Sequence, residues 1–250
     1  MAILDEEGIK NVIMAGEIIN KIFKRIERMD LIGMRTIELN DLIHRIITEN
    51  NATPAFLNYR GFPKSSCISL NDEVVHGIPD ERVIKSGDLV KIDIGVNYKG
   101  YIADAARTFI AGYVSEEVFK FVQVTKEALK RGIEKAKSGN HISDISMAIQ
   151  KFVEANGYSV VRELTGHGVG RSLHEEPMIP NFIMGGPDTE ILPGMALAIE
   201  PMTNMGGHRV KTLKNGWTVS TLDGSLSSHF EDTIIILKKG TINATRVAEG

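Results

Sequence analysis

Apolar positions recur at three- and four-residue steps between Asp5 and Met29, at Ile9, Val12, Ile13, Gly16, Ile19, Ile22, Phe23 and Ile26. That period lays them on one face of a helix. Thr36 can cap a second helix, which carries Ile37, Leu42, Ile43, Ile46 and Ile47 and should end before Pro54. The pattern then changes. Cys67 to Leu70, Asp88 to Val96 and Tyr101 to Ala111 are rich in β-branched and apolar residues bounded by Gly and Pro, and read as strands.

The second half repeats the order. A helix is predicted from Ser115 to about Lys137, and another from Ser143 to Asn156, stopped by Gly157. Strand candidates follow at Tyr158 to Arg162, Met195 to Glu200, Trp217 to Thr221 and His229 to Leu237. Two halves, about 1–111 and 112–250, that each read helix, helix, strands suggest a duplicated architecture, with no convincing residue-level repeat between them. No Pro-, Gly- or Ser-rich linker separates them. The clusters Gly185-Gly186-Pro187 and Pro193-Gly194 read as loops inside the second half. A single domain over 1–250 is therefore expected.

Composition narrows the class. With 42% hydrophobic and 24% charged residues, the 250-residue chain has the balance of a soluble globular protein and enough apolar mass for a sizeable core. Its net charge of -3, from 29 basic and 32 acidic residues, includes no long basic run, so no specific nucleic-acid partner is expected. Cys67 is the one cysteine, which removes an intramolecular disulfide framework and fits a reducing compartment. The start, Met1-Ala2-Ile3-Leu4-Asp5-Glu6-Glu7, has neither a basic nor an apolar signal region, and no apolar run approaches the roughly 20 residues of a membrane helix. The expectation is a cytoplasmic protein with no membrane partner.

Acids inside apolar strands carry the first chemical signal. Asp93 lies in Val90-Lys91-Ile92-Asp93-Ile94-Gly95, and Asp104 in Tyr101-Ile102-Ala103-Asp104-Ala105. A carboxylate at a core-facing position needs a cation or strong donors beside it. If Tyr98-Lys99 form the centre of a two-residue hairpin turn, residues summing to 197 pair and Asp93 faces Asp104, a site for divalent cations. Solvent-facing or Arg-paired acids are the bland alternative. Glu200 after Ala196-Leu197-Ala198-Ile199, and Glu231 before Thr233-Ile234-Ile235-Ile236-Leu237, also look inward-facing at strand positions.

His167 and His174 lie among glycines, in Thr165-Gly166-His167-Gly168-Val169-Gly170 and Leu173-His174-Glu175-Glu176-Pro177. The glycines permit close backbone approach, but the row does not fit a G-x-G-x-x-G nucleotide loop. Asp93, Asp104, His167, Glu200 and Glu231 together form an oxygen-rich set with one imidazole, suited to two divalent ions with bridging acids. With a single thiol and neither C-x-x-C nor H-E-x-x-H, a zinc ribbon and a zincin are excluded. No G-x-S-x-G elbow supports a serine hydrolase.

These residues and their settings resemble the metal-ligand signature of the methionine aminopeptidases. The likeness spans nearly the whole chain: Asn71-Asp72-Glu73-Val74-Val75-His76-Gly77-Ile78-Pro79, Asp93 and Asp104 eleven positions apart, Gly166-His167-Gly168-Val169-Gly170, His174-Glu175-Glu176-Pro177, Ile199-Glu200-Pro201 and Phe230-Glu231-Asp232-Thr233. It is similar to the short bacterial form, type I. The resemblance implies an α+β pita-bread fold (creatinase/aminopeptidase), with two pseudo-symmetric αβ halves around a curved antiparallel sheet. It implies one metal on Asp104, His167, Glu200 and Glu231 and a second on Asp93, Asp104 and Glu231. Cobalt, manganese, iron and zinc all suit such ligands.

The reaction so implied is removal of the N-terminal methionine from nascent proteins and peptides, preferring a small second residue. A metal-bound hydroxide would attack the first peptide carbonyl. Glu200 would carry the proton to the leaving amine, His174 would donate to the developing oxyanion, and His76 would contact the substrate backbone. The free α-amine would approach the second metal, restricting the enzyme to chain ends. Phe56, Tyr59, Phe62, Cys67, Leu173 and Trp217 would wall the side-chain pocket, with ordinary core packing as the competing account. Phe56 and Leu173 depart from the cysteine and phenylalanine of some relatives.

Asn71 and Ser227 match positions that help hold a monovalent cation, though an ordinary turn explains them equally well. By the same resemblance the partners are nascent polypeptide N-termini and the ribosome exit region, the chain acts as a monomer, and its own Met1-Ala2 start is processed to Ala2. Two rival readings stand beside this one, the first of which shares much of the ligand logic. One is another pita-bread hydrolase such as a proline-directed aminopeptidase or creatinase, which usually carries an additional N-terminal domain. The other is a peptide-binding module on this fold that has lost the metals.

Overall fold

The computed structural model describes residues 3–246. Met1 and Ala2, where processing is expected, lie outside the described residues. Helix α1 (Glu6–Ile26) begins where the Asp5 carboxylate accepts from the Gly8 N–H, with Glu6 and Glu7 in its first turn and Lys24 and Arg25 in its last. Those charges complement the helix dipole. Helix α2 (Thr36–Glu49) differs from expectation at its start: Arg35 holds the cap position, and the Glu38 carboxylate accepts from its N–H at 2.8 Å. Thr36 is instead the first helical residue, fully buried, with its hydroxyl donating to the Asp80 carbonyl.

Strands β1 (Thr53–Pro54), β2 (Cys67–Leu70) and β3 (Glu73–Val75) precede a long hairpin of β4 (Leu89–Tyr98) and β5 (Tyr101–Ile110). The turn of that hairpin is Lys99-Gly100, both at positive φ (51° and 84°), as a two-residue turn matched to strand twist requires. This moves the pairing by two residues from the expected register. Tyr98 pairs with Tyr101, so Asp93 opposes Ala106 and Asp104 opposes Gly95. Because side chains alternate with period 2, the shift leaves both acids on the same face, now as diagonal rather than direct neighbours.

Ser115 caps α3 (Glu116–Lys135), and α4 (Ile142–Ala155) follows, starting after His141 and ending at Asn156-Gly157. The remaining chain forms β6 (Ser159–Val160), β7 (Thr165–Gly168), β8 (Glu175–Pro180), β9 (Ala196–Ile199), β10 (Met202–Asn204), β11 (Val210–Thr212), β12 (Val219–Thr221), β13 (Ser227–His229), β14 (Asp232–Ile236) and β15 (Thr241–Asn243). The ladders among the described strands are antiparallel. β4 carries β5 on one edge and β1 and β2 on the other, while β15-β14-β9-β7-β8 forms a five-stranded sheet. The shorter sheets β13-β10-β6 and β11-β12-β3 link them, the latter pairing a strand of each half.

One apolar cluster joins α1 and α2 to β2, β4 and β5, and also takes in Val169, Leu173, Ala196, Ala198 and Ile235 from the later residues. A second lies under α3 and α4 against β9 and β14. No helix among the described residues is long and apolar enough to cross a membrane.

The two long sheets meet where β5 approaches β14. Ala106 and Glu231 exchange both backbone hydrogen bonds, and the Thr233 hydroxyl donates to the Asp104 carbonyl while accepting from the Asp104 N–H. Arg107 locks the junction, pairing with Asp232 at 2.5 Å and donating to the carbonyls of Glu231 and Thr245. Its loss leaves a buried carboxylate without its cation. Arg107→Leu is expected to lower the unfolding free energy by about 3–5 kcal/mol in a urea titration. Adding Asp232→Asn should recover part of that loss.

Candidate metal centre

Asp93 and Asp104 point from β4 and β5 onto one spot, and two strand breaks bring the other acids there. Ile199 pairs with Asp232 and Met202 pairs with His229, so Glu200-Pro201 and Phe230-Glu231 lie opposite each other between the two sheets. Neither Glu200 nor Glu231 is a strand residue, contrary to the continuous strands expected there. Pro201 has no N–H to give the ladder, and at this level both chains leave one sheet and join another. The interruption releases both carboxylates inward.

His167 reaches the same spot from β7, a strand that is not among those predicted from the sequence. The strand is possible because of its glycines: a Cβ on Gly166 would stand 2.4 Å from the Ala198 carbonyl, and one on Gly168 2.4 Å from that of Glu176. His167 Nδ1 lies 2.9 Å from the Gly168 carbonyl. A carbonyl only accepts, so Nδ1 carries the proton and Nε2 offers a lone pair. That lone pair faces Glu200 Oε1 at 3.6 Å. Once Glu200 is ionised, two acceptors face each other there, an arrangement that a cation between them resolves.

Asp93, Asp104 and Glu231 are 9%, 3% and 2% exposed, and no Lys or Arg among the described residues forms an ion pair with them or with Glu200. Asp93 Oδ1, Asp104 Oδ1 and Glu231 Oε1 are buried without any donor. Burial pushes all four carboxyls up, that of Asp104 to about 7; mutual repulsion adds to the rise at Asp93, Glu200 and Glu231. Burial, and then His174, holds His167 neutral, at about 3. Orphaned carboxylate oxygens beside an imidazole lone pair fit divalent cations. Asp104, His167 and Glu231 already hold ligand atoms within 4.8 Å of one another.

A cavity of about 140 Å³ opens onto this cluster, lined by every expected metal and pocket residue: Phe56, Tyr59, Phe62, Cys67, Leu173 and Trp217 with His76, His174 and the five ligands. Phe62 and Trp217 pack edge to face at 5.2 Å. Cys67 pairs with Asp93 across the ladder, and burial beside the acids pushes its thiol up. His76 sits at φ 58°, a left-handed conformation unusual outside glycine, and burial followed by His174 lowers it to about 4. His174 Nδ1 lies 2.8 Å from the Tyr59 hydroxyl, and its ring stands 4.3 Å from that of His167.

The monovalent-cation expectation fares differently. Asn71 and Ser227 lie off the cavity, and the Asn71 carbonyl accepts from Lys91 Nζ at 2.7 Å and from the Ser227 N–H at 3.0 Å. Both lone pairs are taken, so this oxygen does not fit a cation. Arg60, Val75 and His229 were not anticipated: the first two line the cavity, and His229 lies buried behind Glu200 and Glu231. The spacing of His229 two residues before Glu231 was the available signal.

This fold and this carboxylate–imidazole cluster define a metal-dependent peptidase: a family model for metallopeptidase family M24 matches residues 10–238. A methionine aminopeptidase from Clostridium perfringens is 49% identical over 226 residues, covering 90% of this chain and 91% of that protein. The crystal structure of a methionine aminopeptidase from Thermotoga maritima superposes with a TM-score of 0.95 at 38% identity, covering 98% of this chain and 99% of that one. The chain belongs to metallopeptidase family M24, among its methionine aminopeptidases, and has their pita-bread fold. Prolidase from Pyrococcus furiosus shares the fold at a TM-score of 0.80 and 26% identity, but this chain covers only 66% of it.

Proton linkage tests the electrostatics. A carboxyl whose pKa is higher folded than unfolded binds more protons in the folded state. The metal-free protein should therefore lose stability as pH rises from about 4, the ordinary carboxyl value, towards the Asp104 value of about 7. Divalent metal should expel those protons. Titration calorimetry with Mn(II) in buffers of different ionisation enthalpy is expected to show proton release at pH 6.5 that shrinks by pH 8.5; equal release at both would contradict it.

Proposed function

We propose that this chain removes the N-terminal methionine from nascent proteins and peptides with two divalent ions, preferring a small second residue. The observation that carries the reading is the convergence of donor-free carboxylate oxygens at the floor of a small apolar cavity. Asp104, His167, Glu200 and Glu231 would hold one ion and Asp93, Asp104 and Glu231 the other, with Asp104 and Glu231 shared. Cobalt, manganese, iron and zinc all suit this set. Such a pair supplies a strong nucleophile from water near neutral pH and polarises a carbonyl.

The chain's residues do the rest. Phe56, Phe62, Cys67, Leu173 and Trp217 receive the thioether side chain, since soft apolar and aromatic walls suit polarisable sulfur. With the Tyr59 hydroxyl donating to Nδ1, neutral His174 keeps its proton on Nε2 for the carbonyl oxygen of the scissile bond. His76, also neutral, is placed for the substrate backbone. Glu200, next to the ions, moves a proton to the leaving amine. The cavity ends at the carboxylates, which favours a free α-amine over an internal peptide.

The Asn71–Ser227 cation is no part of this reading, because Lys91 Nζ already donates to the Asn71 carbonyl in that turn. Action in the cytoplasm, as a monomer on chains leaving the ribosome, accords with the reaction.

Matched Met-Ala-Ser and Met-Leu-Ser peptides test the proposal on metal-stripped protein reloaded with cobalt, manganese or iron. Methionine release should require metal and favour Met-Ala-Ser by at least about tenfold, roughly 1.4 kcal/mol of transition-state discrimination. No release with any of the ions by protein that binds them would sink it. Glu200→Gln and His174→Ala should each cost about 10²-fold or more in kcat, with the apolar pocket unchanged.

A further inference from the structure

His229 has no place in the scheme above, yet the structure puts it behind the metal centre. It is 1% exposed, its Nε2 finds no partner, and it faces Glu200 Oε2 at 3.4 Å and Glu231 Oε2 at 4.0 Å. Its backbone is fixed: the His229 N–H donates to the Thr108 hydroxyl, which in turn donates to the His229 carbonyl, pinning it to β5. With the backbone pinned and the side chain buried, the ring is confined beside both glutamates.

The Glu200 carboxylate is bracketed by two imidazoles, one for each oxygen. On the Oε1 side, His167 presents a lone pair, because its proton is committed to the Gly168 carbonyl. With Glu200 ionised, that side holds two facing acceptors that a cation between them satisfies. On the Oε2 side, His229 Nε2 is buried against an acceptor and lacks any other partner. A proton on Nε2 satisfies the imidazole and the carboxylate together, and an unsatisfied buried pair would be costly.

We propose that His229 is a positioning residue: its Nε2–H donates to Glu200 Oε2, turning Oε1 towards the ion shared with His167. Ligating carboxylates held in this way by outer hydrogen bonds keep their orientation and charge. The proposal rests on the two-metal reading of the same site and assigns this ring a task within it.

The test uses the full-length protein and two variants, His229→Leu, which fills the space without a donor, and His229→Gln, which restores an N–H. Titration calorimetry with Mn(II) should show about a 10–100-fold weaker affinity for His229→Leu and recovery of most of that loss in His229→Gln. Pulsed EPR of the Mn(II)-loaded wild type should detect one coordinated imidazole, that of His167. Two coordinated imidazoles would make His229 a ligand and overturn the positioning role. Equal affinities in wild type and His229→Leu, or Gln no better than Leu, would overturn it as well. Should His229→Leu fail to fold, the wild-type imidazole count and the His229→Gln affinity, expected within about tenfold of wild type, still decide. Wild type that binds no Mn(II) at all would remove the metal reading itself, a separate failure.

Discussion

Four carboxylates gathered out of water at one spot, with no lysine or arginine among the described residues paired to any of them, impose the condition that the rest of this molecule meets. Removing a single charge from water costs several kcal/mol even after relaxation, and neighbouring like charges raise the cost. The acids either keep their protons or share cations. What the fold contributes is rigidity at that cost: a ten-residue hairpin pair for Asp93 and Asp104, opposed breaks in two ladders for Glu200 and Glu231, and a glycine-flanked strand for His167. Arg107 neutralises Asp232 next door and leaves Glu231 free, so the junction between sheets is stabilised without filling the ligand positions.

Around this charge the cavity divides its labour by polarity. Its floor carries the carboxylates, its walls are largely apolar and aromatic, and beside Tyr59 and Arg60 its polar groups include imidazoles that burial holds neutral. Neutral imidazoles can donate at neutral pH without adding positive charge that would compete with cations for the carboxylates. The left-handed backbone at His76 and the Tyr59 contact of His174 show both rings held by their surroundings. Membership of the M24 methionine aminopeptidases gives this arrangement its biochemical setting, and the geometry supplies the division of roles.

Much of this was legible before any coordinates. Helical periodicity marked α1 to within a turn, and the helix predicted to begin at Ser115 begins there, with Ser115 as its cap, because local signals governed both. Acids set in apolar strands announced a cation site for the same reason that makes them costly. The errors came where distant contacts decide. Thr36 has the sequence of a cap but not its role, because its hydroxyl's partner, Asp80, is far along the chain. The hairpin turn was placed one residue early, which shifted the register by two and preserved the face. The strand that carries His167 has no signature of its own, because only its neighbours in β8 and β9 make that glycine-rich stretch a strand. His229 carries no motif of its own in the sequence, and only a period of two links it to Glu231.

The central claim is that this carboxylate cluster is built for two divalent ions, and anomalous diffraction from crystals loaded with Mn(II) or Co(II) tests it most directly. The account predicts two peaks, one among Asp93, Asp104 and Glu231 and one among Asp104, His167, Glu200 and Glu231, with Asp104 and Glu231 touching both. Crystals diffracting at the metal edge with no peak at these oxygens, or with the ions bound elsewhere on the chain, would contradict it.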